Sequence, residues 1–429
     1  MQFTKALQHT IVWKVLNTLL AFFINLLLVR LMGPEASGHF FYAIAALSFL
    51  ILVLSCSVES GIIYYGSRNT SNIHSLSIFI IPWLLLLGLL CWLALNIFTL
   101  YTSQYLSLIF VISNLTVIYF SALYYSKKWF IALNLCTVFI NCIVLTALGF
   151  IYYKAAGAAG GNLLTASVYS SAAGIYFGGF GLLAIVLMLV FYIRSGFKET
   201  PGATTGLVRK IFAYSFVAFT GNILFFLVTR IDYYFVQQFC DATSLGNYVQ
   251  VSRVGQLLIM LPSMVAVVLF PYSSGEAKKE YLEKLQSACR MITLLFIPLT
   301  VMVVLFGDWI LPWLFGAGFN QMYPTMLWYL PGFYALSLVT LLAAYLAGKA
   351  MLAANLKAAA LALALMITGD WLLIPLYGIT GAAAVSSAAY WVCLAYLVTI
   401  YRKRMGCRYA DFFVIKGEDV KLLLRMVKK

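Results

Sequence analysis

The chain has 429 residues, of which 63% are hydrophobic and 10% are charged, and its formal net charge is +15. A soluble domain is about half apolar and about 25% charged, so this composition excludes a water-soluble globular protein and indicates that most of the chain lies in lipid. The positive charge could suit nucleic acid, but the basic residues lie in short segments between apolar stretches, which argues against that partner.

About twelve apolar segments reach the length of about 20 residues that a membrane-spanning helix needs. We therefore predict an all-α integral membrane protein with an N-terminal six-helix bundle at 1–194 and a C-terminal six-helix bundle at 210–401. Gly, Pro, Thr and charged residues at 195–209 predict a cytoplasmic linker, and residues 402–429 form a basic tail. The predicted spans are 9–31, 40–63, 77–100, 104–126, 129–153, 166–193, 210–238, 246–271, 289–314, 324–347, 355–376 and 380–401.

The distribution of Lys and Arg predicts the orientation of these spans. If the N-terminus is cytoplasmic, 23 of the 28 Lys and Arg lie in cytoplasmic segments, and only Arg30 and Lys154 lie outside. Because basic residues are enriched on the cytoplasmic side, we predict that both termini are cytoplasmic. Residues 276–290 alternate Glu and Lys and predict a short surface helix at the lipid boundary, and the tail is predicted to contact anionic head groups.

Glycine-containing turns recur at corresponding places in the two halves. The segment around Gly38 aligns with that around Gly246, 208 residues later, and both follow an odd-numbered span. Residues 157–161 precede the sixth span as residues 378–384 precede the twelfth. Since each half has an even number of spans, both would insert in the same orientation, and we predict parallel repeats around a central cavity.

Polar side chains interrupt the apolar first helix. Lys14, Asn17 and Asn25 recur at helical spacing, which places them on one face, and Arg30 lies at the outer end. A charged group within lipid is costly and usually faces a bundle interior or a water-filled path. The alternatives are that Lys14 extends toward the cytoplasmic head groups and that Arg30 is an interfacial anchor.

The seventh and eighth helices carry a matching polar set, Asn222, Arg230, Gln250 and Arg253. The repeat would place this set across one cavity from the first helix, and the excess of cationic groups would favour an anionic cargo. Arginine suits a diphosphate because its planar fork donates two parallel hydrogen bonds. Alternatively, Arg230 pairs with Asp232 or Asp241 and fixes helix packing.

Three acidic residues could bind a coupling proton or sodium ion: Glu59, Asp232 and Asp370. A cap or interface role is the alternative for Glu59 and Asp370. No histidine has a partner at metal-binding spacing and the eight cysteines are scattered, so we expect no metal site. Without a P-loop, a His-Glu-x-x-His motif or a Ser/His/Asp set, we expect a secondary transporter that needs no cofactor rather than an enzyme or an ATP-driven pump.

Motifs at residues 29–38, 314–319, 347–349 and 373–383 resemble those of a known group of membrane proteins. Together with the span count and orientation, they resemble the polysaccharide (O-antigen type) flippases of the multidrug and oligosaccharidyl-lipid exporter superfamily. One departure is Asp370, where the family pattern leads us to expect a neutral polar residue such as Asn. Ion coupling at this position is therefore left open.

The resemblance implies a flippase that moves a polyprenyl-diphosphate-linked oligosaccharide across the bacterial cytoplasmic (inner) membrane to the outer leaflet. The product would feed the synthesis of a surface polysaccharide such as an O-antigen of lipopolysaccharide or a capsule. Transport would use alternating access driven by an ion gradient or the membrane potential. Its partners would be the lipid-linked oligosaccharide, membrane lipids and the polysaccharide polymerase machinery. The alternatives are an ion-coupled exporter of drugs or metabolites, which would favour a carboxylate-lined cavity, and a membrane enzyme or scaffold of polysaccharide assembly.

Overall fold

A computed structural model describes residues 3–68, 71–97, 103–157, 166–195, 205–273, 279–349 and 351–419. Its elements are helical, with no β-strand in these ranges, so the predicted all-α class is confirmed. The helices are α1 (Phe3–Ser55), α2 (Val58–Arg68), α3 (Ser71–Ile97), α4 (Gln104–Ser126), α5 (Phe130–Gly157), α6 (Ala166–Ser195), α7 (Thr205–Phe239), α8 (Ala242–Ser273), α9 (Lys279–Phe315), α10 (Met322–Gly348), α11 (Leu352–Met405) and α12 (Ala410–Phe413), with a 3-10 turn at Ala317–Phe319.

The count of membrane spans depends on two double-length helices. Within the described residues, ten helices are long and apolar enough to cross a membrane. Helix α1 has 53 residues and α11 has 54, and each contains one residue outside helical geometry, Gly33 or Gly378. A helix of that length would extend about 80 Å, whereas the hydrocarbon core is about 30 Å thick. Each of these two helices therefore supplies two spans, which agrees with the predicted twelve.

Two predicted elements near α1 and α2 differ from the structure. The turn expected at 33–38 is confined to Gly33, because its φ of 72° and ψ of 176° suit glycine alone and Pro34 already begins the next helical segment. The second predicted span, 40–63, is wrong because the structure divides it between two helices. Cys56 and Ser57, with φ of 47° and 52°, separate α1 from α2.

The separate surface helix predicted at 276–290 is wrong for the residues that the structure describes. Lys279 begins α9, which runs without a break to Phe315. No Gly or Pro lies between Lys279 and Ile297, so nothing in the sequence ends the amphipathic segment before the apolar one begins. Residues 276–278 lie outside the described part of the chain.

The chain divides into two compact units, residues 1–223 and 224–429. The linker predicted at 195–209 falls largely on residues 196–204, which lie outside the described part of the chain, so the predicted domain boundaries stay a prediction. The same applies to most of the glycine segment predicted at 157–161 and to the tail after residue 419.

The first unit is held together by close helix contacts and an aromatic core. Phe110 lies 4.9 Å from Phe177 between ring centroids, and Phe40 lies 5.5 Å from Phe177. Helices α5 and α6 approach closely because Gly179 has no side chain: a Cβ there would lie 2.5 Å from Val144. Small residues allow this kind of contact between membrane helices.

In the second unit, α10 is the most buried helix and packs against α8 and α11. Gly332 allows the contact with α11, because a Cβ there would lie 2.7 Å from the Cα of Ser387. The Ser387 hydroxyl accepts a hydrogen bond from the Gly332 N–H at 3.1 Å and donates one to the Trp328 carbonyl at 2.6 Å. These bonds satisfy backbone and hydroxyl groups that the apolar interior cannot solvate.

Residues 406–419 fold back onto α9, and we name this segment the C-terminal clamp. Asp419 Oδ2 lies 2.6 Å from Arg290 Nε, Asp419 Oδ1 lies 3.1 Å from a second nitrogen, and the Asp411 carbonyl accepts a third bond at 2.8 Å. Burial of Asp419 opposes ionisation, but the hydrogen bonds from Arg290, the Lys416 N–H and Ser287 hold its pKa below its ordinary value. Within residues 406–419, the basic tail is thus attached to α9, and the predicted limits of the tail stay a prediction.

Candidate functional site

The polar residues predicted on the first helix have different surroundings within the first unit. Lys14 is exposed, Asn17 is half-buried and accepts a hydrogen bond from the Asn141 amide at 3.4 Å, and Asn25 is buried. Arg30 is half-buried, three residues before the kink at Gly33. Along this one helix, the predicted polar face therefore changes from an exposed cation, Lys14, to a buried amide, Asn25.

A second polar group of the first unit surrounds the turn between α1 and α2. The Asn222 amide donates to the Ser57 hydroxyl at 3.0 Å, which helps to hold Ser57 in its left-handed conformation. Tyr119 donates to the Ser55 carbonyl at 3.3 Å. Glu59 lies in the first turn of α2, and one of its carboxylate oxygens is buried without a hydrogen-bond partner among the described residues. Asn222 and Glu59, distant in sequence, thus meet at one turn.

The second unit brings Arg230 and Arg253 to the same tyrosine. Arg230 donates to the Tyr233 hydroxyl at 2.6 Å and to the Ser252 hydroxyl at 3.3 Å, and its guanidinium lies 5.0 Å from the Tyr233 ring centre. Arg253, half-buried on α8, interacts electrostatically with the same tyrosine. The predicted pairing of Arg230 with Asp232 is electrostatic only, since the hydrogen bonds of its guanidinium go to Tyr233 and Ser252. We name Arg230, Arg253, Tyr233 and Ser252 the arginine cluster.

Asp232 is fully buried on α7 and is surrounded by neutral donors. Its Oδ2 atom accepts hydrogen bonds from Tyr248 at 2.5 Å, Tyr329 at 3.3 Å and Ser386 at 3.4 Å. Its Oδ1 atom accepts from the Tyr233 N–H at 2.9 Å. A carboxylate needs such bonds when it is removed from water. No sequence pattern singled out these donors, because a tyrosine in an apolar helix has the same appearance as a core residue.

Asp370, on α11, lies in the same interior. It is 0% exposed, and neither of its carboxylate oxygens has a hydrogen-bond partner among the described residues. It interacts electrostatically with Asp232 and with Tyr248. Two neighbouring buried carboxylates repel one another unless a proton or a cation lies between them. We name Asp232 and Asp370 the carboxylate pair.

Aromatic rings enclose the carboxylate pair. Tyr329 stacks on Phe333 at 4.2 Å and on Tyr248 at 5.9 Å, and Tyr390 donates to the Val228 carbonyl at 3.3 Å. Only glycine fits at position 255, because a Cβ there would overlap the Phe333 ring. Gln250, also predicted as a site residue, is fully buried on α8. Burial of these side chains shields the carboxylate pair from water, which strengthens electrostatic interactions around it.

The arginine cluster and the carboxylate pair share helix α7. Arg230 and Asp232 are two residues apart in the sequence, and each bears on the other electrostatically. The unit therefore holds an anion-attracting group beside a cation-attracting group. Such a pair has the chemistry to bind charged cargo and a coupling ion.

Solved structures with the same fold are membrane transporters. The chain is similar to lipid II flippase MurJ in an inward closed conformation, with a TM-score of 0.70 and 17% identity over 98% of this chain and 92% of that one. It is also similar to an inward-facing multidrug resistance MATE family transporter of the MOP superfamily (TM-score 0.68, 11% identity, 91% and 94% covered). A third is a MOP superfamily transporter from Pyrococcus furiosus (TM-score 0.62, 11% identity, 95% of each chain). No curated protein sequence matches this chain.

The helical repeats and buried charges define a multi-pass membrane transporter with the fold of the MOP superfamily, as predicted. More particularly, the sequence matches the family described as lipid II flippase MurJ over residues 73–426, and the chain belongs to that family. The predicted superfamily and the prediction of a flippase that acts on a lipid-linked substrate are confirmed. The match falls on the lipid II flippase family, and the O-antigen assignment drawn from the motifs stays a prediction.

Proposed function

We propose that the chain moves a polyprenyl-diphosphate-linked oligosaccharide from the cytoplasmic to the outer leaflet of the inner membrane by alternating access. The observation that carries this proposal is the arginine cluster, in which Arg230 donates to the Tyr233 hydroxyl and Arg253 interacts electrostatically with the same tyrosine. Two cationic groups that act on one side chain in a low-dielectric interior would attract an anionic ligand. The proposal retains both cytoplasmic termini and the inner-membrane location as expectations from the charge pattern and the resemblance.

Diphosphate chemistry fits the donors of the cluster. A guanidinium donates two parallel hydrogen bonds to one phosphate, so Arg230 and Arg253 could each hold one phosphate of the diphosphate. The hydroxyl groups of Tyr233 and Ser252, which now accept from Arg230, would be available as donors to the same oxygens. Lys14, Asn17, Asn25 and Arg30 are proposed as the residues of the first helix that take part in transport.

We assign the driving ion to the carboxylate pair. A proton or a sodium ion bound by Asp232 and Asp370 would compensate two buried negative charges. Because Arg230 attracts Asp232, an anion that draws on Arg230 would leave the carboxylate pair more available for a cation. Binding of cargo and binding of ion would then favour each other, as linkage requires. Glu59, with its buried oxygen, is a further candidate for ion binding in the first unit.

Two other cargoes compete with the proposed one. The family is described as lipid II flippases, so lipid II is a candidate substrate alongside an oligosaccharide destined for surface polysaccharide. The fold is also that of MATE family exporters, which keeps export of drugs or metabolites as the alternative. An exporter of cationic drugs would favour carboxylates on its transport path, whereas Asp232 is bonded to tyrosine and serine side chains in the interior.

The test is translocation of a labelled polyprenyl-diphosphate-linked oligosaccharide in proteoliposomes, compared with lipid II and with a cationic drug. We expect the Arg253→Ala and Arg230→Ala variants to translocate it more slowly by about ten- to a hundredfold, because each loses a charge-assisted hydrogen bond of about 1.5–3 kcal/mol. The matched control is Arg209→Ala, which removes an exposed arginine of the same helix α7 and should change the rate less than about twofold.

Normal translocation by both cluster variants, at normal protein levels, would remove the arginine cluster from the mechanism. Faster transport of the cationic drug than of either lipid-linked substrate would favour the exporter instead. Preference for lipid II over the oligosaccharide would keep the mechanism and change the cargo.

A further inference from the structure

The C-terminal end of α11 borders a cavity that the transport mechanism does not use. Its volume is about 420 Å³, and it lies entirely within the second unit. The cavity is lined by Arg402, Gly406, Cys407, Arg408 and Tyr409. Two arginines among five lining residues make its chemistry cationic, and the tyrosine adds a hydroxyl donor.

The backbone that shapes this cavity is fixed from several sides. Gly406 ends α11 in the left-handed conformation, with φ of 69°, and its N–H donates to the Arg402 carbonyl at 3.2 Å. The Arg408 N–H donates to the Asp411 carboxylate at 2.9 Å. Phe412 packs against the Tyr401 ring at 5.5 Å, and the C-terminal clamp attaches the whole segment to α9. A ligand would therefore meet a cavity whose backbone is already in position, which lowers the entropic cost of binding.

The charges around the cavity are unbalanced. The last turn of α11 carries three basic residues, Arg402, Lys403 and Arg404, and Arg408 follows. Of the three acidic residues of the clamp, Asp419 is paired with Arg290 and Glu418 is exposed. Asp411 accepts from the Arg408 backbone and is outnumbered by the four basic residues at 402–408. A concave cationic surface of this kind attracts anions.

Tyr409 lies beside the positive charge of Arg402. The Arg402 guanidinium lies 5.1 Å from the centre of the Tyr409 ring. Hydrogen bonds from Arg402 and then Thr399 lower the pKa of the Tyr409 phenol from its ordinary value. The phenol therefore lies beside the Arg402 guanidinium, where its hydroxyl could donate a hydrogen bond to a bound anion.

The cavity lies where α11 leaves the membrane. From the kink at Gly378 to Met405, the helix extends about 40 Å at 1.5 Å per residue, longer than the hydrocarbon core of about 30 Å. Residues 402–409 are therefore at the level of the lipid head groups, where phosphate is the abundant anion. A free phosphate ion would satisfy the same donors, but the location at the membrane surface favours a phosphate attached to lipid.

We propose that this cavity binds the phosphate of an anionic membrane lipid. Arg402 and Arg408 would donate to the phosphate oxygens and the Tyr409 hydroxyl would add a third bond, while the acyl chains lie along α11. The site is separate from the arginine cluster and does not depend on the proposed cargo.

The test measures phosphatidylglycerol retained by the full-length protein, purified from nanodiscs that contain phosphatidylglycerol and phosphatidylcholine. We expect the double variant Arg402→Gln, Arg408→Gln to bind phosphatidylglycerol about tenfold more weakly, because it loses the arginine forks. The matched control is Lys403→Gln, Arg404→Gln. It removes the same charge from the same helix end at residues that do not line the cavity, and it should weaken binding less than about twofold.

Equal losses in the two double variants would overturn the proposal in favour of general surface attraction. So would displacement of bound phosphatidylglycerol by inorganic phosphate at equal concentration, since that would indicate a site for the free ion. If the arginine variant does not fold, the Tyr409→Phe variant provides the test. Removal of this exposed hydroxyl should weaken the binding of phosphatidylglycerol several-fold, and an unchanged affinity would overturn the proposed site.

Discussion

Two buried carboxylates of the second unit, Asp232 and Asp419, are stabilised in different ways. Asp419 has a full counter-charge, because the Arg290 guanidinium donates two hydrogen bonds to it. Asp232 has neutral phenol and hydroxyl donors, an electrostatic attraction to Arg230, and a second carboxylate, Asp370, as a further electrostatic neighbour. A fully compensated charge is structural, whereas a partly compensated one retains affinity for a cation. Burial alone would not separate these two roles.

The Asp419→Asn variant tests the compensated pair. It leaves Arg290, which is 6% exposed, without its counter-charge, and loss of one partner of a buried pair costs about 3 kcal/mol or more. We expect the thermal midpoint in detergent to fall by about 5 °C or more. The exposed neighbour Glu418 provides the control, since Glu418→Gln should leave the midpoint within about 1 °C.

The pH dependence of this stabilisation has a definite sign. The pKa of Asp419 is lower in the folded protein than its ordinary value, so its contribution is complete above about pH 4 and is lost as the pH falls through the folded-state pKa. The difference in thermal midpoint between the wild type and Asp419→Asn should therefore shrink below about pH 4. A difference that stayed constant down to pH 2 would mean that the ion pair does not stabilise the clamp.

At the scale of elements, two glycines divide the double-length helices. Gly378 has φ of 59° and ψ of −143°, and a Cβ there would touch nothing within 4 Å, so any cost of substitution comes from the backbone alone. Non-glycine residues in such sparsely populated regions cost about 1–3 kcal/mol. Gly149 offers a comparison within α5, because it also has open space but lies inside the helix.

We expect Gly378→Ala to destabilise the protein by about 1–3 kcal/mol. Gly149→Ala should instead stabilise it by about 0.5–1 kcal/mol, because alanine is the better helix former. Thermal unfolding of the purified variants gives both values. Shifts of the same sign and size would show that the conformation at Gly378 is not what limits substitution.

The ends of a helix could be predicted from the sequence where an apolar segment is bounded by capping or polar residues. The span predicted at 104–126 matches α4, Gln104–Ser126, because Ser103 caps it and polar residues follow it. The break at Cys56 and Ser57 could not be predicted, since neither residue type signals a left-handed turn and the bonds that Asn222 and Tyr119 donate to it come from distant segments. The clamp was also missed, because its decisive residue, Asp419, lies in a tail that is basic overall.

For the whole molecule, transport requires that cargo and ion binding influence one another. The carboxylate pair and the arginine cluster meet on α7 through Arg230 and Asp232. If a cation at the pair drives the cycle, removal of one carboxylate should uncouple the ion from the cargo without abolishing cargo binding. The amide of asparagine has nearly the same shape as a carboxylate and carries no charge.

We therefore expect Asp370→Asn to bind a lipid-linked oligosaccharide normally but to lose the acceleration that an imposed sodium or proton gradient gives the wild-type protein. Translocation in proteoliposomes with and without each gradient measures this. Asp308→Asn, a change at an exposed acidic residue of α9, is the control and should keep the acceleration. If neither gradient accelerates the wild-type protein, the carboxylate pair is not the coupling site.

The candidate site could be predicted only in part, because the sequence shows which residues are charged but not how the fold groups them. Charged residues within apolar spans are visible in the sequence, which is how Arg230, Arg253, Asp232 and Asp370 were selected. Their grouping is a property of the tertiary fold, because α7, α8 and α11 supply them from distant segments. The hydroxyl donors that complete each group lie in helices whose composition differs little from that of the core.

The ion pair of the C-terminal clamp also constrains when the second unit can fold during synthesis of the chain. Arg290 and Asp419 are 129 residues apart, and ribosomes add roughly 5–20 residues per second. Once Arg290 has been made, its partner follows only after roughly 6–26 s. During that interval the start of α9 carries an uncompensated cation that resists burial, so this part of the second unit can close only after Asp419 has been made.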